Sequence, residues 1–238
     1  MSLYRDQGVV LRTMRLGEAD RIVTLLCRDQ GKVRAVAKGV RKTTSRFGGR
    51  LEPLSHVSLL VWQGRELDIV NQAEVIDSFR AVREDLSRVT KAFSMLEVAD
   101  RVSVERHGSP QLYELLVRAL GFLSREDAAF VVPAFFLKVL SVEGSEPILD
   151  ACVSCGSGGE LVAFDLSEGG ALCRDCRRGR PVSAAALRIM RAMLDGGLGR
   201  VIGEQPGPVT NEVTEIANEA MEVHLDRQLR SIRAAPGV

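Results

Sequence analysis

Two Cys-x2-Cys pairs, Cys152/Cys155 and Cys173/Cys176, stand 17 residues apart in a chain of 238. Whatever fold surrounds them has to bring two tight turns face to face. Each short hairpin lets two sulfurs approach one ion, and tetrahedral Zn²⁺ takes four such ligands at about 2.3 Å. Ser154 and Gly156 in the first pair, and Arg174 and Asp175 in the second, suit those turns. Two disulfides or free buried thiols are the competing readings. The N-terminus, Met1 to Arg5, has no apolar core after a basic start, so the chain is expected in the cytoplasm, where disulfides are rare. Four protein ligands leave no open coordination position, so the single Zn²⁺ is expected to be structural. Arg174, Arg177, Arg178 and Arg180 follow closely and are expected to offset the thiolate charge, with phosphate contact as the alternative. The fifth cysteine, Cys27, lies far away in an apolar stretch and reads as a buried small hydrophobe.

Around this cluster the hydrophobic period changes once. Residues 1–76 read as short strands with glycine-bearing turns: Gly8 to Leu11, Ile22 to Cys27, Lys32 to Ala37 after the Asp29-Gln30-Gly31 turn, Val57 to Trp62, and Leu67 to Val70 after Gln63-Gly64-Arg65-Glu66. Five such strands suggest a small closed barrel of the OB type, with a sandwich as the alternative. From Phe79 the spacing becomes helical, through Val82, Leu86, Val89, Phe93, Leu96 and Ala99. Ser109-Pro110 opens a second helix, Ala128 to Val142 reads as a buried one, Ser183 caps Ala184 to Leu194, and Thr210 caps the last. Gly196 to Pro208 reads as a loop. The expected fold class is α+β, with an OB-type barrel over 1–78 and an α-helical bundle over 79–238 that carries the zinc-binding insertion at about 150–180. No apolar run approaches the roughly 20 residues that a membrane span needs.

The net charge of +1 hides a polarised chain. Residues 1–80 carry 14 Lys and Arg against nine Asp and Glu, while residues 81–150 and 151–238 are net acidic. Between Gly31 and Leu51 there are seven cations and no acid: Lys32, Arg34, Lys38, Arg41, Lys42, Arg46 and Arg50. Strand alternation sends Val33, Ala35 and Ala37 inward and Lys32, Arg34 and Lys38 outward. The remaining cations continue into a loop whose Ser45, Gly48 and Gly49 suggest flexibility and close approach to a nucleic-acid backbone. Such a surface binds phosphate without selecting bases; a solvated basic face is the bland alternative. Trp62 and Phe47 could stack on bases, although a lone tryptophan in a strand is more often core.

No catalytic constellation can be assembled. His56, His107 and His224 are scattered, and no phosphate-binding loop or dinucleotide fingerprint occurs. Glu18 and Asp20 sit in a turn beside Arg21 and read as surface pairing. The protein is expected not to be an enzyme.

In order along the N-terminal stretch come Gly8-Val9-Val10-Leu11-Arg12, Glu18-Ala19-Asp20, Gly31-Lys32, Ala37-Lys38-Gly39-Val40-Arg41-Lys42, Ser45-Arg46 and Leu51-Glu52-Pro53-Leu54. This series resembles the RecO family of bacterial recombination mediators of the RecFOR pathway. The resemblance implies an OB barrel followed by a helical bundle, in which many members carry paired Cys-x2-Cys hairpins. It also implies binding to single- and double-stranded DNA, annealing of complementary strands, and loading of RecA, together with RecR, onto DNA coated by single-stranded DNA-binding protein (SSB). Family members recognise the acidic C-terminal tail of SSB through the helical domain; no receptor for it stands out in this sequence. The resemblance places the protein at the nucleoid during repair. The rival readings are an RNA- or ribosome-associated zinc protein with an OB barrel, and a metal-dependent nuclease, which requires a carboxylate cluster.

Overall fold

The computed structural model describes residues 2–196, 206–226 and 229. The chain forms two compact units, Met1–Arg125 and Glu126–Val238. Strands give way to helices after residue 78, where the sequence reading divides the chain. The first compact unit nevertheless runs on to Arg125, because the first three helices pack with the barrel.

The first unit opens with five strands, β1 (Leu3–Leu16), β2 (Asp20–Cys27), β3 (Gly31–Ala37), β4 (His56–Trp62) and β5 (Asp68–Asp77). They close into a barrel in the order β1-β2-β3-β5-β4, with β4 returning to β1. Only β3 and β5 run parallel. The expected barrel is therefore present, and each expected strand lies in an observed one, apart from Leu67 one residue before β5. β1 and β5 are longer than their apolar segments, since outward-facing Arg5, Gln7, Gln72 and Glu74 interrupt the hydrophobic pattern without ending the strand.

Alternation fills the barrel with Val10, Val23, Leu25, Val33, Ala35, Val57, Leu59, Val61 and Val70, all nearly solvent-free. Cys27 is among them, as expected of a small hydrophobe. β1 serves two neighbours, β4 through Leu3–Val9 and β2 through Gly8–Leu16, and a register shift between Val10 and Arg12 bends it from one to the other. Gly8 sits where the two pairings overlap; a Cβ there would lie 2.9 Å from Cys27 Sγ.

Helices α1 (Arg80–Arg83), α2 (Leu86–Val102) and α3 (Pro110–Arg125) complete this unit. The single helix expected from Phe79 is in fact two. Phe79 has φ 47, and Asp85 starts α2 by accepting the Arg88 amide on its carboxylate. The break shifts the phase, so Leu86 and Phe93 are exposed and the buried face is Ala92, Met95, Leu96, Val98 and Ala99. α3 begins at Pro110 as expected, buries Leu112, Leu116, Leu120 and Leu123, and sends Tyr113 to the barrel. There the Tyr113 hydroxyl lies 2.6 Å from His56 Nε2.

Burial lowers the pKa of His56, with Asp77 opposing the shift, so folding favours the neutral ring. A lowered histidine pKa contributes stability that is present above the unfolded value near ~6.5 and is lost as pH falls through the folded value. The melting temperature is expected to drop between about pH 7.5 and about pH 5.5, and His56→Gln is expected to flatten that dependence. Identical pH profiles for the two proteins, by circular dichroism melts, would refute this role.

The second unit contains α4 (Val131–Val142), a three-stranded sheet of β6 (Leu161–Asp165), β7 (Gly170–Cys173) and β8 (Arg180–Pro181) in the order β7-β6-β8, then α5 (Ala184–Leu194) and α6 (Pro208–His224). α4 is buried almost all round, and α5 and α6 pack against it. Ser183 caps α5 by accepting the Ala186 amide, as expected. Thr210 is not a cap. α6 starts at Pro208 after Gly207, and Thr210 is buried one turn in. Within the loop expected over Gly196 to Pro208, residues 197–205 lie outside the described residues. No helix among the described residues is long and apolar enough to cross a membrane.

Candidate nucleic-acid interface and metal centre

The seven cations of the basic segment fall into two groups. Lys32 and Arg34 point outward from β3 but are half-buried against their own chain. The Lys32 ammonium bonds the Asp100 carbonyl and lies 3.5 Å from its carboxylate, and Arg34 lies 3.7 Å from Glu105. Residues 103–107 between α2 and α3 run beside β3: the Lys32 amide donates to Val104 O at 3.2 Å, and the Arg106 amide to Lys32 O at 3.0 Å.

That docking needs two glycines. A Cβ on Gly31, at φ +66, would lie 1.9 Å from His107 O, and one on Gly108 would lie 2.3 Å from Asp29 O. The strand face expected to meet nucleic acid is therefore occupied by the chain itself. Nothing in the sequence pattern places Asp100 and Glu105, some 70 residues on, against it.

The other five, Lys38, Arg41, Lys42, Arg46 and Arg50, are exposed on the segment that joins β3 to β4. None of them has a carboxylate partner among the described residues. The segment is pinned rather than loose. Phe47 and Leu51 insert into the barrel core, and Leu54 is buried beside β1, each at about 1% exposure. Successive turns hold it internally, through Ser45 N to Lys42 O at 2.9 Å and Arg50 N to Phe47 O at 3.1 Å. Its end is clamped to β1 by Leu54 N to Val10 O and Val10 N to Ser55 O, both 2.9 Å.

Its start is held by the turn between β1 and β2. Asp20 Oδ1 accepts the Gly39 amide at 2.7 Å, the Arg41 amide reaches Ala19 O at 3.0 Å, and the Arg41 guanidinium donates to Glu18 O at 2.7 Å. Glu18 and Asp20 thus position the basic segment rather than pair with Arg21, whose partner is Glu52 at 2.5 Å. The same hairpin carries Arg15, also exposed, a cation that sequence reasoning misses because it lies outside the uninterrupted run.

The two aromatic candidates part company. Phe47 is core and cannot stack on a base, although the Arg46 guanidinium lies 4.9 Å from its ring centroid. Trp62 is 38% exposed at the end of β4.

In the second unit the four cysteines converge, and all four sulfurs lie within 4.8 Å of one another. Cys155 and Cys173 Sγ are 3.8 Å apart. That spacing is too long for a disulfide, and it matches the ~3.8 Å edge of a tetrahedron whose corners are ~2.3 Å from its centre. Cys152 and Cys155 flank a knuckle closed by the Gly156 amide to Cys152 O at 2.8 Å, with Gly156 at φ +73. Cys173 ends β7, and Cys176 sits in the following turn. The amides of Cys173, Cys155 and Ser154 lower the Cys152 thiol to about 6, whereas its neighbours Cys155 and Cys173 push Cys176 up to about 12. Crowded thiols compete in this way for a single negative charge, and a divalent cation removes the competition. The donor set fits a metal ion.

The adjacent arginines do something other than expected. Arg174 pairs with Glu160 at 2.9 Å, Arg178 with Asp165 at 2.8 Å, and Arg180 with Glu215 at 2.7 Å and Glu219 at 2.9 Å. Their charge is answered by carboxylates, leaving Arg177 exposed. Asp165 is held down to about 2, first by the Ser167 hydroxyl and then by the Glu168 amide. No carboxylate cluster of the kind a metal nuclease requires occurs among the described residues.

With this geometry established, similarity to known proteins narrows the reading. Residues 1–79 match the family model described as recombination protein O N terminal, and residues 83–233 match recombination protein O C terminal. The chain is 44% identical over 239 residues to the DNA repair protein RecO of Frankia casuarinae, covering 98% of each. It is 42% identical over 246 residues to the DNA repair protein RecO of Streptomyces coelicolor, again over 98% of each.

Proposed function

The chain belongs to the RecO family of DNA repair and recombination proteins, and on that premise we propose that it acts as a non-enzymatic recombination mediator. It binds single- and double-stranded DNA, anneals complementary strands and, with RecR, helps to load RecA onto SSB-coated DNA in the cytoplasm. The observation that carries this reading is the pinned basic segment. Five exposed cations without carboxylate partners among the described residues ride on a backbone anchored by Phe47, Leu51 and Leu54.

A fixed array of this kind neutralises phosphates and releases their counterions while leaving base edges free. Two strands held at such a surface repel each other less, which is the physical requirement for annealing. Lys32 and Arg34 belong instead to the fold. The metal is Zn²⁺, held by Cys152, Cys155, Cys173 and Cys176 in a closed structural site. Recognition of the acidic SSB tail completes the mediator reading as part of this proposal.

The test is strand annealing followed by energy transfer between complementary labelled oligonucleotides coated with SSB. The protein is expected to accelerate pairing, to do so less with SSB lacking its tail, and to prefer DNA over RNA in competition. Annealing no faster than the spontaneous rate, or preferential capture of RNA, would overturn it.

A further inference from the structure

The register of the barrel aligns a row of apolar side chains on its outer surface. Leu3 faces Trp62, Trp62 faces Ile69, Ile69 faces Val36, Val36 faces Ile22, and Ile22 faces Met14. The neighbours that alternate with them, Val61, Val70, Ala35 and Val23, point into the core, so this row points out. Leu3, Trp62 and Met14 remain 44%, 38% and 49% exposed, Val36 and Ile69 are half-buried, and Ile22 is buried at 7%.

Cations border the row. Arg5 lies two residues along β1 from Leu3 and faces Leu60, Arg65 follows Trp62 in the turn to β5, and Lys38 lies two residues beyond Val36. All three are exposed and lack a carboxylate partner among the described residues. The nearby Asp68 is buried and already engaged by Arg106 at 2.7 Å and by the Tyr4 hydroxyl at 2.6 Å. Glu66 is the exposed acid of that turn.

A flat aromatic face in an apolar row, edged by positive charge, is complementary to unpaired bases whose phosphates run alongside. A duplex does not offer its base faces, and a purely acidic peptide has no flat face to lay on the indole. We propose that Trp62 is a base-stacking platform for single-stranded nucleic acid. The bases lie over Trp62 and its row neighbours, and the phosphates lie towards Arg5, Arg65 and Lys38. This deepens the DNA-binding reading above and rests on it.

Trp62 is the single tryptophan of the chain, so its fluorescence reports this site alone. The full-length protein is titrated with an oligothymidylate, with an abasic oligonucleotide of the same length and with a duplex, while anisotropy of labelled DNA records binding independently. Oligothymidylate is expected to quench the indole strongly; the abasic strand and the duplex are expected to leave it nearly unchanged. Trp62→Ala is expected to weaken oligothymidylate binding by about tenfold, with Trp62→Phe restoring most of it and neither variant altering the abasic affinity. Binding by anisotropy without quenching, or equal quenching by the abasic strand, overturns the stacking site while leaving the DNA-binding reading in place. Absence of binding by anisotropy overturns both.

Discussion

Reversing Lys38, Lys42, Arg46 and Arg50 together to Glu is expected to lower the affinity for single-stranded DNA by roughly a hundred- to a thousandfold at low salt, with the fold intact. These four are exposed and have no carboxylate partner among the described residues; the change removes only local contacts within the segment, Arg50 to Arg46 O and Arg46 over the Phe47 ring. Arg41 is left alone because its guanidinium holds the turn at Glu18. The salt dependence makes the prediction quantitative: for single strands the slope of log affinity against log salt is expected to flatten by about 0.7 for each phosphate that the variant no longer neutralises. Fluorescence anisotropy over a salt series measures both.

Lys32→Ala is the counterpart. It removes a half-buried pair with Asp100, and the expected loss appears in the melting temperature and only weakly in DNA affinity. If the fourfold variant bound DNA like the parent, the interface would have to lie elsewhere. If Lys32→Ala abolished binding without loss of stability, the division of the cations into two groups would be wrong.

Removing the metal is expected to be equally severe, but in the other unit. Apparent binding energies of structural zinc are about 10–16 kcal/mol, comparable with the whole stability of a domain. One Zn²⁺ per chain is expected by elemental analysis. Cys152→Ser, or a strong chelator, is expected to strip hydrogen-exchange protection from residues 148–182. The core of that small sheet is thin, being chiefly Leu161, Phe164, Leu172 and Val182. α4, α5 and α6 share a larger apolar core and are expected to keep much of their protection, and DNA affinity is expected to change by no more than about twofold, since the basic segment lies in the first unit. A chain purified without zinc, with residues 148–182 fully protected, would refute the structural role.

Much of this was legible in the sequence, and what was not has identifiable causes. The cysteine spacing specifies its own geometry, since two tight turns and four sulfurs leave little freedom. The barrel was legible because short apolar runs in β1 and β2 and the alternation of β3 are separated by glycine-bearing turns. The phase of α2 was hidden by local signals that compete: Phe79 and Val82 continue a helical period through Glu84 and Asp85, yet the Asp85 cap restarts the helix and turns Leu86 and Phe93 out to solvent. The sheet around the cysteines was hidden by brevity, as β7 has four residues and β8 has two.

At the interface the charge count was legible and its distribution was not. Whether a cation is free depends on what folds against it, and Asp100 and Glu105 are separated from Lys32 and Arg34 by about 70 residues of chain. The places of Trp62 and Phe47 likewise depend on packing that local sequence does not reveal. Phe47 is drawn into the apolar core of the barrel, while Trp62 lands on the outer phase of β4.

The close approach of Gly31 to His107 also bears on how the protein is made. A ribosome that has released only the five strands holds a barrel whose Lys32 amide and ammonium both lack their native partners, because Val104 and Asp100 have not yet emerged. The first residues of β3, ahead of its pairing with β5 at Ala35, then present an unpaired edge beside a run of exposed cations. The covering segment, residues 103–107, belongs to the same unit and is translated before any of the four clustered cysteines.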